Sequence, residues 1–150
     1  MSERLGLLRP ILTKYKRRFA VLDLGSGDGS TAEWIRREFP NAGVFTIDRA
    51  ELAMMKQDLT PDMLERLACR EHFSVVLALN FLHHFWSQDW ASAVTSVARM
   101  GRHVVIQLPP VGDYRAAGAN IMPELHQAVE QAGGVKIGEA WYKPFAHKRP

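Results

Sequence analysis

The sequence predicts an α/β fold, a largely parallel sheet with helices on both faces. Three observations carry this. Apolar, β-branched runs at 19–24, 44–48, 73–79 and 103–108 read as strands, and 73–79 is apolar enough to be buried on both sides. Stretches with helical apolar spacing alternate with these runs, as in successive βαβ units. Across its 150 residues the chain has no linker, internal repeat or low-complexity tract, so one domain with a sizeable core is expected.

Taken in order, Leu7, Leu8, Ile11, Leu12 and Tyr15 share a helical face, with Pro10 suited to a first turn, and predict a leading helix packed on the sheet. Phe19 to Leu24 is the first strand and delivers Asp23 into Asp23-x-Gly25-x-Gly27-x-Gly29. Ser30 and Glu33 have the spacing of a capping box, and Ala32, Ile35 and Phe39 continue the helix. Residues 44–48 give a second strand ending in Asp48. Only Arg49, Ala50 and Glu51 separate it from the strand-like run 52–56, whereas a parallel crossover ordinarily takes a dozen residues or more. The helix after the second strand is therefore expected to be missing or reduced to a loop.

Thr60 is the expected N-cap of a helix opened by Pro61, with Met63, Leu64, Leu67 and Ala68 inward and Cys69 half-buried. After strand 73–79, Ser87 is the expected cap of a helix carrying Trp90, Val94, Val97 and Ala98, stopped by Gly101. Strand 103–108 runs into the rigid loop Pro109-Pro110-Val111-Gly112-Asp113-Tyr114. Pro123 starts a last helix ended by Gly133-Gly134, and 135–141 reads as a sixth strand. Residues 145–150 are all that remain for one more, so a truncated last strand is expected. Such a strand would leave the sheet edge partly open, a surface for a homodimer or for aggregation.

The single cysteine excludes an internal disulfide, and no metal-ligand spacing is present. No apolar run approaches the roughly 20 residues of a membrane span and no signal peptide is evident, so a cytoplasmic protein without a membrane span is expected. The net charge of +3 is concentrated at Lys14, Lys16, Arg17 and Arg18 and again at Lys143, His147, Lys148 and Arg149. Such basic termini can hold RNA phosphates, or are simply a solvated surface.

The chemistry lies in the glycine run. A strand, a glycine turn and a helix N-terminus make a place for a ligand's polar groups, because glycine admits close approach and the first helical turn offers unpaired N–H groups. Dinucleotide sites use Gly-x-Gly-x-x-Gly to face a pyrophosphate. Here the spacing is Gly-x-Gly-x-Gly with an acid two residues ahead, which suits a cofactor carrying an ammonium or sulfonium. Residues 19–35 resemble the first motif of the class I S-adenosylmethionine-dependent methyltransferases, and Asp48 and the run FSVVLALNFLHHF at 73–85 agree with the small-molecule type of that family.

The resemblance implies a Rossmann-like methyltransferase sheet with S-adenosyl-L-methionine along its carboxyl edge. It implies Asp23, Gly25, Ser26, Gly27, Asp28 and Gly29 at the methionine end, with Asn80 on the same side. Asp48, followed by Arg49, would hold the ribose, and Asp58 and Leu59 the adenine. His83 and His84 are candidates for a catalytic general base or a substrate contact, His84 favoured; the alternative is a merely hydrogen-bonded pair. Gln107, Asp113 and Tyr114 would border the acceptor.

The implied function is methyl transfer to a small-molecule, sugar or lipid-linked acceptor. An RNA methyltransferase is the alternative. Its clipped second crossover and basic ends agree, but Asn80 and Gln107 stand where ribose-methylating enzymes need an aspartate and a lysine. A non-catalytic S-adenosylmethionine-binding subunit is a third reading.

Overall fold

The computed structural model describes residues 3–48, 55–56, 59–70, 72–113, 115–138 and 140–144. Its strands are β1 (Phe19–Leu24), β2 (Ala42–Asp48), β3 (Met55–Lys56), β4 (Phe73–Leu79), β5 (Gly101–Gln107), β6 (Val135–Ile137) and β7 (Ala140–Pro144). Its helices are α1 (Glu3–Leu12), α2 (Ser30–Glu38), α3 (Pro61–Arg70), α4 (Trp90–Arg99) and α5 (Met122–Gln131), with 3₁₀ turns at Leu82–Phe85 and Ala119–Ile121. The seven strands form one sheet in the order β3-β2-β1-β4-β5-β7-β6. Strands β1 to β5 are parallel, and β7 runs antiparallel to both β5 and β6.

The period of two in a strand divides the core into two layers. Val75, Leu77 and Val105 face α1 and α2, where Leu8, Leu12 and Ile35 are fully buried. Val76, Val104 and Ile106 face the other way, onto Leu64 of α3, Val97 of α4 and Leu125 of α5. The chain steps outward from β1 to β3, then returns to place β4 on the other side of β1. That reversal opens a crevice at the carboxyl ends of β1 and β4, where ligands bind in sheets of this kind.

Several local expectations are corrected. Pro10 lies near the end of α1, because the helix begins by Glu3. Helix α2 starts at Ser30 without a capping box: Gly29 is the N-cap, in the left-handed region, and Ser30 N–H donates to Asp28 Oδ1 at 2.9 Å. Cys69 is exposed, not half-buried. Gly101 does not stop α4; it begins β5, where a Cβ would meet Val76 Cγ2 at 2.8 Å. The run 135–141 is a hairpin, with β6 and β7 meeting at Gly138. The last strand among the described residues is therefore β7, whose five residues all pair with β5. The expected strand at 145–150 lies outside the described residues.

Residues 49–54 alone separate β2 from β3, which pairs parallel to it over two residues. Thr60 caps α3 as expected, its Oγ1 accepting from Met63 N–H at 3.2 Å.

At α4 the cap is Asp89, whose Oδ1 accepts from Ser92 N–H at 3.1 Å, and not Ser87. Asp89→Ala is therefore expected to cost about 1 kcal/mol, and Ser87→Ala close to nothing, in urea midpoints at constant slope.

Candidate functional site

Gly25 continues the ladder at the end of β1, its N–H donating to Ile47 O at 2.8 Å, and then turns the chain away at φ +67°. A Cβ there would stand 2.5 Å from Phe81 Cδ1, so the backbone at Gly25 and the Phe81 ring occupy space that only glycine leaves. Gly27 N–H donates to Asp48 Oδ2 at 2.7 Å. The acid ending β2 thus ties down the glycine turn ending β1. Asp23 is 2% exposed beneath this turn.

A cavity of about 600 Å³ opens over the turn. Gly25, Ser26, Gly27 and Asp28 form one wall, Asp48 and Leu59 another, and Asn80, Phe81 and His84 a third. Sequence reasoning did not find Phe81 or Gln88, which also line the cavity. Asp23 and Gly29 support the turn without lining the cavity. Arg49 and Asp58 lie outside the described residues. Among the described residues no lysine or arginine lines the space, while Asp28 and Asp48 do. A diphosphate would meet these two carboxylates there, whereas a sulfonium or ammonium is favoured. Ser26 Oγ is buried with no hydrogen-bond partner among the described residues, an unmet polar group of the kind a ligand satisfies. The residues present therefore fit a cationic, hydroxyl-rich nucleoside.

Asn80 takes φ +55°, a left-handed conformation that asparagine tolerates, and its N–H donates to Gln107 O at 2.8 Å. That kink places it in the walls of two cavities, the one above and a neighbour of about 540 Å³. His83, Gln107, Asp113, Arg115 and Lys136 border the second. The histidines are thus divided. His84 is exposed on the wall beside Asn80, while His83 is 7% exposed and borders the neighbouring cavity. Their ring centroids lie 4.1 Å apart, with the planes tilted by 36°. Burial first, and then the adjacent His84, push the His83 pKa down to about 4, against an upward pull from the Asp113 carboxylate. Its Nδ1 is buried without a hydrogen-bond partner among the described residues. Tyr114 lies outside them.

The loop at this edge is held from below. Trp141 Nε1–H donates to His126 Nδ1 at 3.1 Å, which puts the imidazole proton on Nε2, and Nε2–H donates to Pro109 O at 2.8 Å. His126 was missed in the sequence. It occupies the inward stripe of α5 with Met122, Leu125 and Val129, a polar residue on an apolar face, which was the available signal.

The basic cluster lies elsewhere. Lys16, Arg17 and Arg18 are exposed just before β1, at its amino end. Six strand residues separate them from the glycine turn, about 20 Å at 3.3 Å per residue.

A family model described as "Methyltransferase domain" matches residues 21–103, more than half of the chain. The chain belongs to the methyltransferase-domain family. It is of the class I, S-adenosylmethionine-dependent kind, and S-adenosylmethionine is the cofactor that the family implies. Solved methyltransferases share the fold. The bifunctional kinase-methyltransferase WbdD has a TM-score of 0.71 at 17% identity over 99% of this chain and 40% of its own. A SAM-dependent methyltransferase from Archaeoglobus fulgidus scores 0.60 at 19% identity, covering 90% and 70%. An O-methyltransferase family protein from Burkholderia thailandensis scores 0.57 at 16%, covering 94% and 57%. The chain thus spans about 40% of the length of WbdD. No curated protein matches it in sequence.

Proposed function

We propose that this domain transfers a methyl group from S-adenosylmethionine to a small-molecule acceptor, with the donor in the acid-walled cavity and the acceptor beside His83. The observation that carries it is Asn80, which borders both cavities, so that two ligands would meet at one residue. Asp48, which accepts from Gly27 N–H, is the residue for the ribose hydroxyls. The Gly25–Ser26–Gly27 backbone, supported by Asp23, takes the methionine end, and Leu59 the adenine.

When bound, the cofactor supplies a methyl made electrophilic by positive sulfur. An acceptor would take that methyl through a lone pair and would give up its proton to a base. His83 is the base in this reading, because it borders the acceptor cavity with its Nδ1 unbonded among the described residues, and the Asp113 carboxylate favours its imidazolium. His84 contacts the donor side. The rest of the rate comes from alignment and exclusion of water.

RNA is the weaker reading, since Lys16, Arg17 and Arg18 of the first basic cluster lie at the amino edge of the sheet, while His147, Lys148 and Arg149 of the second lie outside the described residues. Calorimetry tests the assignment. S-adenosylmethionine is expected to bind with micromolar affinity and NAD at least tenfold more weakly; the reverse order would overturn it. Binding without any radiolabelled methyl reaching a cell-extract acceptor would favour a non-catalytic subunit.

A further inference from the structure

We infer that the groove between α1 and the β6–β7 hairpin holds the body of the methyl acceptor. The acceptor is then an elongated apolar molecule with an anionic group at the end away from the methylated atom. This rests on the methyl-transfer reading above and adds the class of acceptor.

The groove encloses about 680 Å³, enough for a small organic ligand. Leu7, Pro10 and Ile11 of α1 line one side, and Leu79, Ile137 and Ala140 the other. It does not stand alone. Leu79 also borders the donor cavity, and Gln107 and Gly138 also border the His83 cavity. These shared walls set the three spaces side by side at the carboxyl ends of β4 and β5, so a molecule in the groove can have one end beside the reaction centre.

The other end is defined by charge. Helix α1 runs from the carboxyl edge of the sheet toward the amino end of β1, and Lys14 follows its last turn. From Gly6 to Lys14 is about 12 Å at 1.5 Å per residue. Lys14 Nζ stands 5.8 Å from the Tyr142 ring centroid, and Tyr142 pairs with Val105, two registers below the Gln107–Ala140 pair. Among the described residues Lys14 is the cation lining the groove and no acid lines it. An apolar channel with a cation at its far end selects an anionic terminus.

Gly6 supplies the decisive test. It sits within α1, where glycine is less favourable than alanine. A Cβ built on it meets nothing within 4 Å, and it borders the groove. A large side chain there has room at its Cβ and stands at the groove's rim, where it can reach across the opening.

The experiment titrates hexanoate, octanoate and decanoate into the full chain saturated with S-adenosylhomocysteine. Affinity is expected to rise about fourfold per added methylene, from about 0.8 kcal/mol of apolar transfer each. Gly6→Phe is expected to weaken decanoate at least tenfold, Gly6→Ala to leave it unchanged, and Lys14→Met to weaken decanoate but not decanol. Affinity independent of chain length, or unaffected by Gly6→Phe, would overturn the inference. S-adenosylmethionine affinity, measured in the same variants, is expected to stay within twofold. Its loss from the unmodified chain would instead sink the methyl-transfer reading.

Discussion

Gly25→Val is expected to lower S-adenosylmethionine affinity at least 100-fold while the chain stays folded. Two costs act together. At φ +67° an L-residue pays about 1–2 kcal/mol in the left-handed region, and a β-branched one more. The new Cβ would also stand 2.5 Å from Phe81 Cδ1, so the ring must move, and the cavity it borders is where it has room to go. A displaced Phe81 would fill the space for the methionine end. Since 1.4 kcal/mol is tenfold, about 2.8 kcal/mol of combined loss gives the predicted effect. Calorimetry of the double variant Gly25→Val, Phe81→Ala separates the causes. Truncating the ring is expected to restore part of the affinity, leaving the backbone strain. Wild-type affinity in Gly25→Val would show that this turn does not hold the donor.

The turn was legible because its demands are local. A glycine required by backbone conformation announces itself in the residue, and Asp48 announces itself by ending the next strand. The corrections arise where a residue's role depends on what lies across from it. Ser30 and Glu33 have the spacing of a capping box, but Gly29 takes the cap position at φ +79° and Asp28 reaches the first helical N–H instead. Gly101 looks like a helix stop until β5 is laid against Val76 of β4. Gly138 hid a hairpin, because 135–141 is apolar enough on both sides of it to pass for one strand.

The histidine pair shows a deeper limit. Adjacent residues in the 3₁₀ turn Leu82–Phe85 point about a third of a turn apart, so one sequence position cannot say which faces which cavity. Likewise the apolar spacing of α1 predicted a helix that covers the core. That Leu7, Pro10 and Ile11 also wall a groove follows only from where the hairpin stands opposite them. Burial of one helical face is a one-dimensional pattern, whereas a gap between two elements is a property of their separation.

His83→Gln is expected to reduce the rate of radiolabelled methyl transfer by about 10²–10⁴-fold at pH 7.5, with S-adenosylmethionine affinity unchanged, if proton removal limits the step. The same substitution has a second readout. With a native pKa of about 4 against an ordinary 6.5, the unfolded chain binds more protons than the native one between those values. This residue's contribution therefore makes stability rise with pH from about 4 to 6.5, lost as pH falls through that window and constant below it. In urea midpoints measured across the window, His83→Gln is expected to flatten that part of the slope. The two readouts separate the roles. A flattened pH slope with a rate within threefold of wild type would make His83 a buried structural imidazole and move the search for the base to His84. A lost rate with cofactor affinity intact places the proton acceptor at the junction of the two cavities, opposite Asn80.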